Sequence, residues 1–152
     1  MTLDLSQPAL RLSFSPTPLS IIQFSASQRT PKPLVDLLTS ETSLPFLSIT
    51  RTPTETSIIV PTKVVEELYS PSSTNIPSET PIESSGPWSC LVVAGPMDLS
   101  LTGIMHALTG PLKEAGVPVF ASSTWDTDYV LINEEKKEVA KKALSDAGWR
   151  FD

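Results

Sequence analysis

Hydroxyls, carboxylates and aromatic rings crowd together in Ser123-Thr124-Trp125-Asp126-Thr127-Asp128-Tyr129 of this 152-residue chain. Carboxylates in such a turn can hold an ammonium or guanidinium group, and an aromatic face can cover it. The same residues also suit a plain hairpin turn, with Asp126 and Thr127 at the bend and Asp128 bonded to nearby backbone. Pattern alone favours the plain turn. A second stretch with chemical potential is Gly95-Pro96-Met97-Asp98-Leu99-Ser100-Leu101-Thr102-Gly103, which reads as a strand-to-helix junction. Its free backbone N–H groups and positive dipole end suit a carboxylate or another anion. Gly103, one turn in, lets a ligand or another backbone approach closely.

Other chemistry finds few parts. His106 is the only histidine and Cys90 the only cysteine, so a metal site would have to be built from carboxylates alone. His106 falls between core positions of a helical pattern and reads as an edge or surface residue. Cys90 lies in an apolar run, where a free cysteine acts as a small hydrophobe. Neither standard Gly-rich phosphate loop is present. No metal and no cofactor are expected. A net charge of −6, with no basic run, argues against nucleic acid and against anionic membrane surfaces. No apolar run approaches the roughly 18 residues that span a bilayer, and no secretory start is visible. The expected setting is cytoplasmic.

The elements that must position these residues show first as an internal repeat. Phe46-Leu47-Ser48-Ile49-Thr50 matches Phe120-Ala121-Ser122-Ser123-Thr124 at a constant offset of 74. After one extra residue in the first copy, Thr54 meets Thr127, Glu55 meets Asp128, and Ile58-Ile59 meet Leu131-Ile132. Each copy reads as strand, polar turn, strand, which suggests two copies of a small α+β module. Upstream, Leu10–Phe14 and Leu19–Phe24 form a plausible hairpin around Pro16-Thr17-Pro18. Short helices are expected after Pro33 and from Thr62 to Leu68. Residues 70–87 hold four prolines and little that packs, so they read as a linker or surface insertion. In the second half, Trp88–Ala94 is a buried strand. Leu101, Ile104, Met105, Leu108, Leu112 and Ala115 share a helical face that Asp98 or Ser100 caps and Pro111 interrupts. Val117–Thr124 and Tyr129–Ile132 are strands. Asn133 caps a last helix that Gly148 closes, and Trp149–Phe151 is a short final strand. The order is βαββαβ, the ferredoxin-like unit.

At these residues the chain resembles a known family. Gly95-Pro-Met-Asp-Leu-Ser-Leu-Thr-Gly-Ile104 and Ala115-Gly-Val-Pro-Val-Phe-Ala-Ser-Ser-Thr-Trp-Asp-Thr-Asp-Tyr-Val-Leu131 are similar to the small tandem ACT-domain proteins. Those are relatives of the CASTOR-type arginine sensors and of the regulatory domain of aspartate kinase. Phe46-Leu-Ser-Ile-Thr-Arg-Thr52 resembles their first unit. The resemblance implies ferredoxin-like units in tandem, with an antiparallel sheet, helices on one face and an amino-acid-like ligand at the seam between units. Carried over by position, the binding residues are Asp98, Gly103 and Ile104 on one side and Thr124, Trp125, Thr127 and Asp128 on the other. Asp126 joins them as a second carboxylate for an amino group. An acidic residue that holds the basic ligand in the sensors falls near Leu101 here, so arginine itself is not implied.

The expectation is therefore a first, degenerate ACT-like unit over 9–69, a linker over 70–87 and a second ACT unit over 88–152. The function expected is non-catalytic sensing of an amino-acid-like molecule, in a homodimer, with a regulatory protein partner as a further possibility. Two rivals stand beside it. One is a protein-interaction module with a vestigial pocket. The other is an enzyme that reuses the pocket with Asp126 or Asp128 as general base.

Overall fold

A computed structural model of the chain describes residues 3–41, 43–70, 72 and 82–152. The chain forms two compact units, one of Thr17–Pro87 and one that joins Met1–Pro16 to Trp88–Asp152. Both are α+β, with antiparallel strands and helices over one sheet face. The expected fold is the one observed.

The Thr17–Pro87 unit contains β2 (Leu19–Ser25), α1 (Lys32–Thr39), β3 (Ser48–Arg51), β4 (Glu55–Pro61) and α2 (Thr62–Leu68), after β1 (Leu12–Phe14) of the other unit. Strand β4 pairs with both β2 and β3. Alternation along the strands sends Ile22, Phe24, Ile58 and Val60 to one face, where they meet Leu34 of α1. Val64, Val65 and Leu68 of α2 cover the same cluster.

The other unit holds β5 (Glu83–Val93, from Trp88 on), α3 (Ile104–Glu114), β6 (Val119–Ser123), β7 (Asp128–Asn133) and α4 (Lys137–Asp146). Its strands run β1, β5, β7, β6 across the sheet, every neighbouring pair antiparallel. Leu91, Val93, Val130 and Ile132 point to one face and pack with Leu108 and Leu112 of α3 and Ala140 and Leu144 of α4. Full burial of each leucine here contributes roughly 1.5–3 kcal/mol.

Several local expectations change. The hairpin of Leu10–Phe14 with Leu19–Phe24 does not form, because Leu12 and Phe14 sit opposite Val93 and Leu91 on β5. Strand β1 takes the sheet position expected of the C-terminal strand, and Phe151 makes only a parallel bridge to Leu12. The reason is burial: Leu10 and Leu12 are fully inside the same cluster as Leu91 and Val93. Residues 83–87, assigned to the linker by composition, begin β5; residues 71 and 73–81 of that linker lie outside the described residues.

The repeat is real in structure but shifted. Thr52 N–H donates to Glu55 O at 2.8 Å, and Thr124 N–H donates to Thr127 O at 2.8 Å. Each turn opens on a threonine whose hydroxyl also reaches the far carbonyl. The two hairpins thus correspond 72 residues apart (Thr52 with Thr124, Glu55 with Thr127), and α1 and α3 start at Lys32 and Ile104 with the same spacing. The offset of 74 aligned similar letters. Closure of the turn by threonine sets the true register.

Helix α3 starts at Ile104, later than expected. Its N-cap is Gly103 with φ +82°, and no side chain caps it. Asp98 instead accepts from the Ser100 amide at 2.7 Å and closes its own loop. Pro111 does lie within α3. It offers no N–H to the Ala107 carbonyl four residues earlier, and the buried Trp149 indole donates to that oxygen at 3.4 Å. At the other end of the hairpin, Asn133 Oδ1 accepts from the Glu135 amide at 3.0 Å, starting the turn that leads into α4. Among the described residues, no helix is long and apolar enough to cross a membrane.

Candidate functional site

The loop from β5 to α3 and the turn from β6 to β7 lie against one another because of one glycine. Gly95 has φ +64°, and a Cβ built on it would stand 3.0 Å from the Asp126 carbonyl oxygen and 3.1 Å from Thr127 Cβ. Only glycine fits that combination of left-handed backbone and close approach. Two hydrogen bonds fasten the contact. Met97 N–H donates to Asp126 O at 2.8 Å, and Thr127 Oγ1 donates to Val93 O at 2.5 Å. Thr127 is 7% exposed, so its hydroxyl holds the turn to the sheet.

Beyond this contact the loop and turn diverge and leave a cavity of about 310 Å³, walled by residues from within 97–105 and by 123–128. That volume is at the small end of the roughly 300–1,000 Å³ usual for small-molecule sites, so it suits a small metabolite. All eight residues expected to bind, Asp98, Gly103, Ile104, Thr124, Trp125, Asp126, Thr127 and Asp128, lie on its wall.

Their hydrogen bonds separate those that hold the wall from those that face outward unoccupied. Thr124 Oγ1 and N–H both close the turn. Ser123 Oγ donates to Asp128 Oδ1 at 2.5 Å. Hydrogen bonds from Ser100, its hydroxyl first and then its amide, hold the exposed Asp98 carboxyl below its usual range. Asp126 is exposed, and its carboxylate has no hydrogen-bond partner among the described residues. Trp125, 79% exposed at the tip of the turn, and Leu99, 70% exposed on the opposite loop, both line the cavity. Gly103 has open space where a Cβ would stand, so its positive φ is what requires glycine.

The first intrahelical bond of α3 runs from Ala107 N–H to Gly103 O at 2.9 Å. The amides of Ile104, Met105 and His106 precede it, and with no side-chain cap they are the unsatisfied donors of a helix start. Together with the helix dipole they favour an anionic group.

Sequence reasoning missed the apolar part of the wall: Met97, Leu99, Leu101 and Met105. Leu101 and Met105 looked like core positions of a longer helix, and no signal in the sequence separated them from core. His106 is exposed and not on the cavity wall, whereas Cys90 is buried and its thiol is pushed up to about 11 by desolvation. Neither side chain enters the site. Among the described residues, no group of three or more His, Cys, Asp or Glu side chains is arranged to hold a metal ion.

An antiparallel α+β unit with helices on one face and a cavity between its first strand–helix loop and its hairpin turn belongs to the ferredoxin-like class. Residues 83–146 match the family described as the ACT domain. That stretch, less than half of the chain, is similar to an ACT domain.

Solved structures agree. A crystal structure from Agobacterium tumefaciens is 27% identical, with 96% of this chain and 94% of that chain covered and a TM-score of 0.70. A Vibrio cholerae protein, described as of unknown function and a possible transport protein, is 14% identical over 92% of this chain and 91% of that one, with a TM-score of 0.60. The regulatory subunit of aspartate kinase from Thermus flavus is 11% identical over 90% of this chain and 96% of that one, with a TM-score of 0.65. For these last two the likeness is one of fold.

Proposed function

We propose that the chain is a regulatory module that binds a small amino-acid-like molecule in the cavity between the β5–α3 loop and the β6–β7 turn. The observation that carries this reading is the pairing of opposite functions across one cavity of about 310 Å³. The uncapped amides of Ile104, Met105 and His106 suit the carboxylate of the ligand. Asp126 and Asp128 line the same cavity from the turn, and a carboxylate there suits the ammonium group of the ligand. Trp125, on the same wall, offers an aromatic face to the ligand. Similarity to the ACT domain and the fold shared with aspartate kinase regulatory subunits support a regulatory role.

Binding signals only through differential affinity for two arrangements of the protein. The loop from Gly95 to Gly103 is the candidate for that rearrangement, because it is tied to the turn by few bonds. A homodimer is part of the same proposal, and light scattering with and without ligand tests it. A thermal-shift panel of the common amino acids, run on wild type and Asp126→Asn, tests the binding. At least one amino acid stabilises wild type, since a ligand that binds only the native state raises its stability. Asp126→Asn loses that shift while its own unliganded melting temperature is unchanged. No shift with any amino acid contradicts the proposal.

Exposure of Leu99 and Trp125 at one rim favours the second reading, a surface that recruits a protein partner. Capture of one stable partner, lost on Trp125→Ala and insensitive to every amino acid, supports that reading over the first.

A further inference from the structure

The charged and apolar groups of the same cavity discriminate among ligands. We propose that it selects an amino acid with an uncharged, apolar side chain, an inference that rests on the binding function above and narrows it. Among the described residues no lysine, arginine or histidine lines the cavity, and its only charged residues are three aspartates. An acidic side chain would therefore enter a negative field with no counter-charge. A basic side chain needs a carboxylate of its own beyond the one that holds the α-ammonium. Two of the three carboxylates already accept hydrogen bonds, Asp98 from Ser100 and Asp128 from Ser123. Asp126 alone has both oxygens unbonded among the described residues, which provides for one ammonium group.

What remains of the wall is apolar. Met97, Leu101 and Met105 are half-buried and pack against the hydrophobic core on their far sides, with Ile104 buried beside them. A polar side chain placed against them would lose its hydration without gaining a partner, whereas an aliphatic or thioether side chain would exclude water from both surfaces. The unbranched methionines adapt their shape to such a guest. The small volume limits the guest to the size of one amino acid.

Isothermal titration of the intact chain with leucine, methionine, phenylalanine, glycine, glutamate and arginine tests the inference. At least one of the first three binds about tenfold or more tightly than glycine, glutamate and arginine, the discrimination typical of an apolar pocket. Binding of arginine or glutamate at equal or higher affinity overturns the apolar preference and leaves the amino-acid-binding function standing. Absence of binding by every amino acid overturns both. Two variants address the wall itself. Met105→Ala reduces the advantage of the apolar ligand over glycine about fivefold or more. Leu99→Lys places a cation at the exposed rim and raises affinity for glutamate about threefold or more. An unchanged leucine-to-glycine ratio in the first variant, or unchanged glutamate affinity in the second, counts against the assignment. Because Leu99 is on the surface, the second variant remains informative if the first fails to fold.

Discussion

Replacing Gly95 by alanine tests whether the site is assembled by backbone contact. The residue has φ +64°, where an L side chain costs about 1–2 kcal/mol. The added methyl would also press on backbone, since the Asp126 carbonyl oxygen lies 3.0 Å from the new Cβ. A flexible side chain could swing away from such a contact; a turn held at both ends cannot. Accommodating an extra methyl in a tight place costs about 1–3 kcal/mol, so Gly95→Ala destabilises the chain by about 2–5 kcal/mol in total. The displacement also breaks Met97 N–H to Asp126 O and strains Thr127 Oγ1 to Val93 O. Ligand binding should therefore fall more than stability alone explains.

The assay is urea denaturation at fixed protein concentration, with ligand titration on the fraction that remains folded. Gly110→Ala is the control. Gly110 lies inside α3 with open space at its Cβ, and the substitution should be neutral or stabilise by up to about 1 kcal/mol. A Gly95→Ala protein within about 0.5 kcal/mol of wild type, the range of an ordinary surface change, refutes the reasoning.

Four further outcomes follow from named contacts. Leu108→Ala, at a fully buried position under α3, costs about 2–5 kcal/mol by denaturant melts. Trp149→Phe leaves the Ala107 carbonyl short of a donor and costs more in wild type than in Pro111→Ala, where a restored N–H takes that oxygen; a double-mutant cycle should show coupling of about 0.5 kcal/mol or more. The stability that Cys90 and Tyr69 contribute should be fully present below pH 9 and decline as the pH rises from there. Burial holds the folded Cys90 thiol up at about 11 from 9.0 and the Tyr69 phenol up at about 12 from 10.0, so the unfolded chain ionises first. A flat profile between pH 9 and 12 in stopped-flow unfolding contradicts this. For the same reason Cys90 should resist iodoacetamide at pH 8 until the protein is unfolded.

The hairpin turn was legible in the sequence because Thr, Asp and Trp concentrate where polar groups must close a bend and face solvent. Its partner loop was legible through Gly95 and Gly103, which punctuate an otherwise apolar stretch. The register of the repeat was not, because similar letters at Phe46 and Phe120 compete with the hydrogen bond that closes each turn. Threonine at the first turn position decides it, at Thr52 and Thr124. The pairing of β1 with β5 is not legible in the sequence for another reason. A contact between Leu12 and Val93 leaves no local periodicity, whereas the nearby prolines 16 and 18 advertise a hairpin. The start of α3 was misplaced because Asp98 and Ser100 are good caps in general, yet here they bond to each other. Finally, the apolar wall was hidden in plain composition: Met97, Leu101 and Met105 look the same whether they face a core or a cavity.

Residue-resolved titration by NMR tests the central claim most directly. As an apolar amino acid is added to the intact chain, saturable shifts should concentrate in the amides of Ile104, Met105 and His106 and of Thr124 through Asp128. The α1 and α2 helices should change little. Shifts centred elsewhere, or none in either the helix start or the turn at saturating ligand, contradict the assignment of this cavity as the binding site.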